Sequence, residues 1–471
     1  MTMNAPKKAV LPPGHHGHWL LRLNEQVKDP LGALVRTQQK YGDIAYFNTQ
    51  QGPLYMLAHP DHVQRVLADN ARNYPAPEKR PSRLMGNGIF QSSGAVWLRQ
   101  RRMVQPAFHR SRLARMVEDM VRGTEALAER WEQPARTGEP VELLEQMRLL
   151  VPTLLGASLF SRGVYERDAG LQASVAFLSH KSHAKARDSL WKLALRRLGY
   201  PRSRRQQFDA ATDALNASLH GLIAERRKAP SAGDDILGML IEARDTQGEP
   251  MTDTEVRDEL VSLLVGGHEA TSVALTWTWY TLMSHPEVEQ RVREELASVL
   301  GGSPSANGEQ LQALRYTRAV VEETLRLYPP AWQLMRRAQE DDEIAGFTVR
   351  AGSLVLIPTW LLHRHASFWK DPERFDPERF LPEQKEQRHR HAWMPFGGGQ
   401  RMCVGNGYTL TLIVAVLATL LPRFQARLVP GHPVTPVASN TYRPRFGLKA
   451  TLHPAPSVAR DSSPSPKAVS S

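Results

Sequence analysis

One cysteine in 471 residues, Cys403, is the scarcest feature of the chain. It excludes an intrachain disulfide, a Cys-rich zinc site and a self-contained iron–sulfur cluster, each of which needs several thiolates. Such an inventory fits a reduced, cytoplasmic setting. Long hydrophobic runs are scarce too. The longest, LTLIVAVLATLLP at 410–422, is shorter than the roughly 20 residues of a membrane span and reads as a buried helix. Residues 1–18 lack the apolar core of a secretory signal. No GxxxxGK[ST] loop occurs, and no GxGxxG follows a strand pattern. GGHEATS at 266–272 is not HExxH, because Ser272 stands four residues after His268. Acidic residues are the minority, 48 against 60 Lys and Arg, and the net charge of +12 suits an acidic partner, an anionic surface or nucleic acid. Nucleic-acid binding would interleave solvated aromatics with the charge, and the arginine-rich stretch 99–115 does not.

What is present is material for a large core, with 41% hydrophobic and 23% charged residues. We find no repeat and no internal linker, so one domain is expected over 30–452. A Pro/Gly/His-rich leader precedes it (1–29), and a Pro/Ser/Ala tail too polar to fold follows it (453–471). The pattern predicts a helix over 31–41, then a hairpin of IAYFNT and PLYMLAH across QQG. It is helical from about 60 to 330, with short strands at 343–358 and a last strand pair near 438–452. The fold class is mainly α with small antiparallel sheets. The longest helix starts at a capping box, Thr252 with Glu255, and runs to Ser284 before Pro286, a span of about 45 Å. Two glycines in its middle, Gly266 and Gly267, cost about 1 kcal/mol each relative to Ala. Close helix packing explains a lone Gly pair. With Glu269 in the same turn, a flat ligand approaching the backbone beside a carboxylate explains both.

The sharpest motif is FGGGQRMCVG at 396–405. A thiolate that binds iron needs backbone N–H donors and positive neighbours around sulfur, with little side-chain bulk. Gly397, Gly398, Gly399 and Gly405 let the chain turn tightly around Cys403, Arg401 can reach an anionic group of the same cofactor, and Phe396 can cover the near side. A lone Cys is ordinarily a buried small hydrophobe, but the FxxGxRxCxG spacing argues against that here.

These residues resemble the haem-ligand loop of the cytochrome P-450 superfamily, and further motifs follow in family order. Glu323 and Arg326 match ExxR, and DPERF occurs at 371–375 and again at 376–380; the second copy supplies Arg379 as third member of a structural triad. WLRQR matches WxxxR, with Trp97 and Arg101 on one helix face, and Arg337 matches a third contact to the haem propionates. The resemblance implies a single-domain P-450 fold with a long central helix over haem b, Cys403 as iron ligand, and haem contacts from Phe396, Gly399, Arg401 and Gly405. It implies a monooxygenase that inserts one atom of O2, by hydroxylation or epoxidation, into a small hydrophobic substrate. Electrons would come from NAD(P)H through a separate ferredoxin or flavodoxin reductase system, and the role would lie in secondary metabolism. By family position the pocket is lined by Ile89, Phe90, Leu263, Gly266, Ala270, Ala331 and Trp332, with the arginine-rich segment 171–206 as lid.

The central helix departs from the family pattern [AG]Gx[DE]T. Gly266, Gly267 and Glu269 fit, but Ala270 follows the acid and the alcohol is displaced to Thr271. One helical step is about 100°, so Thr271 cannot take the direction of Ala270 without a distorted turn. Glu269 and Thr271 are the catalytic candidates, with a distorted turn, a bound water or a substrate hydroxyl as routes for the proton. A non-catalytic haem sensor or carrier and a peroxide-driven hydroxylase are the alternatives.

Overall fold

The computed structural model describes residues 10–15, 17, 28–78, 81–181, 202–229, 235–303, 305–386 and 388–456. Most of the leader and the tail beyond 456 lie outside the described residues, as does 182–201 within the expected lid. Pro30–Tyr41 is helical, opened by Asp29 accepting from Gly32 N–H and closed at Gly42 with φ 83°. The expected hairpin is Ile44–Thr49 against Gly52–Leu57, turning at Gly52 with φ 102°. It forms the middle of a five-stranded sheet with Gly14–His15 on one side and Leu354–Ile357, then Leu334–Arg337, on the other. That sheet is mixed rather than purely antiparallel. Gly14–His15 and Leu354–Ile357 each pair parallel to the hairpin, the latter across about 300 residues of intervening chain that leave ample length for a crossover. The chain closes on Phe424–Leu428 and Val141–Glu142, both antiparallel to Lys449–Pro454, beside a small hairpin of Pro436–Ala438 and Tyr442–Pro444.

The central helix, Asp253–Ser284, starts at the capping box: Thr252 Oγ1 accepts Glu255 N–H at 3.2 Å, and Glu255 Oε2 accepts Thr252 N–H at 2.8 Å. It is buried nearly all round, because it packs on Leu143–Phe160 on one side and touches Arg315–Leu327 and Asn406–Leu420 on others. Leu143–Phe160 corrects the expectation that no segment is long and apolar enough to cross a membrane. It passes on length and composition, yet 78% of it is buried inside the fold, where Leu150, Val151 and Leu154 form part of the main core. The 410–422 run lies largely within Asn406–Leu420, another core helix, packed on Arg110–Thr137. A separate cluster around Tyr55, Val355 and Ile357 fills one face of the mixed sheet. The helices thus form the body, and the site lies where the central helix, the cysteine loop and the edge strand Leu334–Arg337 approach one another.

Candidate haem-thiolate site

The cysteine loop is shaped by glycine and backbone bonds. Gly399 has φ 68°, and an added Cβ would lie 2.1 Å from the Leu67 carbonyl oxygen, so no other residue fits there. Cys403 N–H donates to the Phe396 carbonyl at 2.9 Å, which folds the loop back on itself, and the next helix begins just past Gly405. Phe396 packs against the main core. The Cys403 side chain keeps accessible surface, although burial pushes its thiol pKa up, against the opposing pull of the Gly405 N–H and Arg101. Accessible sulfur at depth is the mark of an interior wall. A metal bound there would hold the sulfur as thiolate.

Three guanidiniums surround this wall, none paired with a carboxylate among the described residues. Arg101 donates to the Met402 carbonyl at 2.8 Å, Arg401 donates to the Ser92 carbonyl at 2.6 Å, and Arg336 donates to the Met335 carbonyl at 2.9 Å. Trp97, on the Gly94–Val104 helix, lies beneath Arg401, whose guanidinium carbon is 4.5 Å from the ring centre. Burial lowers the pKa of all three, and Arg336, 9% exposed, falls to about 10 with repulsion from Arg401 as the second cause. Desolvated cations without acids require anionic company, and the two propionates of a bound iron protoporphyrin would supply it. Arg337 is a correction. Successive strand residues point to opposite faces, and Arg337 turns away to donate to the Gly352 carbonyl at 2.6 Å, leaving Arg336 on the side of Arg401.

Beneath the loop, Glu323 and Arg326, both 0% exposed, form a bidentate pair at 2.6 and 2.8 Å. Arg326 also donates to the carbonyls of His363, Pro372 and Arg374, and Glu323 accepts Asp376 N–H at 2.8 Å. The second DPERF copy brings Arg379 to 3.6 Å from Glu323, an ion pair rather than a hydrogen bond. His363, which sequence reasoning missed, ties this network to the loop. Met394 N–H donates to its Nε2 at 2.7 Å, so Nδ1 carries the proton and donates to the Arg326 carbonyl at 3.1 Å. Burial pushes its pKa down to about 3 and keeps the ring neutral.

Above the wall the central helix is unbroken through 266–272. Gly267 backs onto Leu155, 3.3 Å from an added Cβ, whereas Gly266 faces Phe90 at 3.8 Å. Ala270, one turn on, shares the Gly266 face. Thr271 does not. It is 3% exposed, on the packed flank with Gly267 and Leu275, and the distorted turn that would bring it forward is absent. Glu269 is held by Arg148 through two bonds of 3.1 and 3.2 Å and accepts from Thr441 at 3.4 Å. Arg148 is one of two charges, with Glu145, in an otherwise apolar helix, a signal that could have marked it as a partner for a buried acid.

The expected pocket residues divide. Phe90 is 49% exposed and projects beside Gly266, with Ile89 and Leu263 buried next to it. Ala331 is exposed three residues before the edge strand, and Leu334 on that strand lies 3.7 Å from an added Cβ at Gly397, against the cysteine loop. Trp332 is a correction. It packs among Phe47, Met56 and Leu356, and its indole N–H donates to the Ser439 carbonyl at 2.8 Å, so it anchors the sheet rather than lining the pocket.

Comparison with known proteins agrees with this geometry. The family model for cytochrome P-450 matches residues 12–451. The chain is 34% identical to cyclooctat-9-en-7-ol 5-monooxygenase of Streptomyces melanosporofaciens over 83% of its length and 84% of that protein's. It is 30% identical to pentalenene oxygenase of Streptomyces avermitilis, covering 86% and 89%. The structure of retinoic-acid-bound cyanobacterial CYP120A1 superposes with a TM-score of 0.81 at 25% identity, over 95% of this chain and 100% of that one. The chain belongs to the cytochrome P-450 family, as a haem b monooxygenase that takes NAD(P)H-derived electrons from redox partners and inserts one atom of O2 into a hydrophobic substrate.

Proposed function

We propose that the substrate is a cyclic terpene hydrocarbon or alcohol, hydroxylated over a haem whose iron is held by Cys403. The observation that carries this is one accessible thiol on an interior wall, ringed by Arg101, Arg336 and Arg401 and faced by the small residues Gly266 and Ala270. When bound, the haem supplies the oxidation of an unactivated carbon by O2. The chain supplies the rest. Arg101, Arg336, Arg401 and the Trp97 indole would hold the propionates, and the Gly405 N–H and Arg101 favour the thiolate at Cys403 Sγ. Phe90, Ile89 and Leu263 give the substrate an apolar wall, and Glu269, held by Arg148, places a carboxyl in the turn of the helix that carries Gly266 and Ala270. Two relatives named for oxidising cyclooctat-9-en-7-ol and pentalenene support the substrate class.

The electron donor is an acidic ferredoxin in the cytoplasm. Arg102, Arg110 and Arg115 are exposed, and Arg110 lines a cleft of about 500 Å³ with Phe108, Leu113, Leu311 and Gly407, the last just past the cysteine loop. Attraction between opposite charges speeds such encounters and fades with salt. The test combines a ferredoxin, its NADPH-dependent reductase and a panel of cyclic terpenes. The expected product is one oxygen atom heavier than its substrate, formed at a rate that falls as salt rises. No oxidised product from any terpene, with fatty acids oxidised instead, would overturn the substrate class.

A further inference from the structure

We propose that Glu259 is a positioning residue for substrate choice: it fixes the 82–92 segment on the central helix and thereby holds Phe90 over the face of Gly266 and Ala270. This rests on the haem site described above and adds a residue that does not touch substrate.

The segment is pinned at both ends. At the central helix, Asn87 N–H donates to Asp258 at 2.7 Å, and Ile89 N–H is shared between both oxygens of Glu259 at 3.1 Å. At the cysteine loop, the Ser92 carbonyl accepts from Arg401 at 2.6 Å. Phe90 stands between these anchors, with its ring against Gly266. Two glycines make the approach possible. An added Cβ at Gly86 would lie 2.0 Å from the Asp258 carboxylate, and one at Gly88 would lie 2.3 Å from Ser262 Oγ. The chain therefore lies flat on the helix for three residues, and a shift of its register would carry Phe90 off the pocket.

Glu259 is a costly way to hold a loop. It is 0% exposed, and among the described residues its only hydrogen-bond donor is the Ile89 N–H. An apolar residue would pack there with less penalty but would leave Ile89 N–H buried and unpaired. What the carboxyl adds is a directional bond one residue before Phe90. Packing alone does not specify such a register.

The test reads the room above the iron with two nitrogen ligands of different size, imidazole and 4-phenylimidazole, titrated into haem-loaded protein by the shift of the Soret band. Glu259→Leu removes the acceptor, and Glu259→Gln keeps one. The ratio of the two dissociation constants should move about tenfold in Glu259→Leu and stay near wild type in Glu259→Gln. Phe90→Ala should move the ratio too, and Glu259→Leu added to Phe90→Ala should change it little further, because both act through one side chain. An unchanged ratio in Glu259→Leu with a lowered melting temperature would reduce the residue to packing and overturn the proposal, as would full additivity with Phe90→Ala. If Glu259→Leu does not take up haem, Gly88→Ala lifts the segment while leaving the carboxyl in place. The same change of ratio supports the proposal, and an unchanged ratio overturns it. Failure of the underlying site would look different, since wild-type protein would then lack the haem-thiolate carbonyl spectrum.

Discussion

Two glutamates, Glu323 and Glu259, are equally hidden from solvent and very differently held. Glu323, beneath the cysteine loop, receives two guanidinium bonds from Arg326 and the Asp376 N–H, with Arg379 close by. Glu259, above the haem site, receives one N–H. Burial raises both carboxyls, but at Glu323 two cations oppose it, while at Glu259 only Ile89 N–H does, and Asp258 and Glu255 add repulsion that takes it to about 8. The lower side of the site is thus a saturated ionic frame. The upper side is held by fewer and mostly backbone bonds, the N–H groups of Asn87 and Ile89 on Asp258 and Glu259. Iron ligation needs the first, and substrate choice needs the second.

The largest effect expected lies on the lower side. Cys403→Ser should abolish the red-shifted Soret band of the reduced carbonyl complex, since no other thiolate exists in the chain. A wild-type spectrum of histidine-ligated haem would break the comparison at its base. Next comes Arg326→Ala. Removing one partner of a buried, fully bonded ion pair costs about 3–5 kcal/mol, so haem content should fall together with stability. Arg379→Ala should cost less, about 1 kcal/mol, because its guanidinium stands 3.6 Å away and partly in solvent. Equal losses for the two would mean that the frame acts as three equivalent members.

How far this was legible in the sequence follows the same divide. The lower side depends on residues whose spacing is itself the structure: the FxxGxRxCxG loop, ExxR three apart on a helix, and the second DPERF copy. Each could be placed before any fold was known. The upper side depends on which way a side chain turns, and spacing alone does not fix that. Arg336 and Arg337 are neighbours in sequence, and only the strand register sends one toward Arg401 and the other toward Gly352. Trp332 sits in an expected pocket segment but turns into the sheet core. Glu259 is one of five charges that open the central helix, and Arg148 one of two on a largely apolar helix; spacing singled out neither, because their partners lie 170 and 121 residues away.

A smaller effect sharpens the upper side. The Glu259 carboxyl titrates at about 8 in the folded chain against an ordinary 4.5. The folded state therefore holds this proton more tightly than the unfolded one. Its contribution to stability is fully present below pH 4.5 and is lost as pH rises toward 8, with a ceiling of about 5 kcal/mol. Glu259→Gln cannot ionise and still accepts Ile89 N–H. Denaturant unfolding should show the variant matching wild type near pH 5 and exceeding it near pH 8.5. Parallel curves across that range would mean that Glu259 is charged throughout, and the contrast with Glu323 would disappear.

The smallest effect concerns Ala270 and Thr271. In the unbroken helix Thr271 is buried on the flank of Gly267, while Ala270 faces Phe90 and the site with Gly266. A hydroxyl that passes protons must stand on the second face, so Thr271 is poorly placed, and the expected route is a substrate hydroxyl or a water. Thr271→Ala should leave the product formed per NAD(P)H consumed within about twofold of wild type, the range of a change remote from the reacting atoms. Ala270→Thr puts a hydroxyl where the substrate lies. On a terpene hydrocarbon, which brings no hydroxyl of its own, it should raise that ratio. On a terpene alcohol it should do little or lower it by crowding. The two substrates therefore separate the two routes within one variant. A sharp loss in Thr271→Ala, with peroxide released in place of product, would show that the helix opens around Gly267 when the site is filled. The upper side would then differ from the lower in a backbone that moves when the site fills.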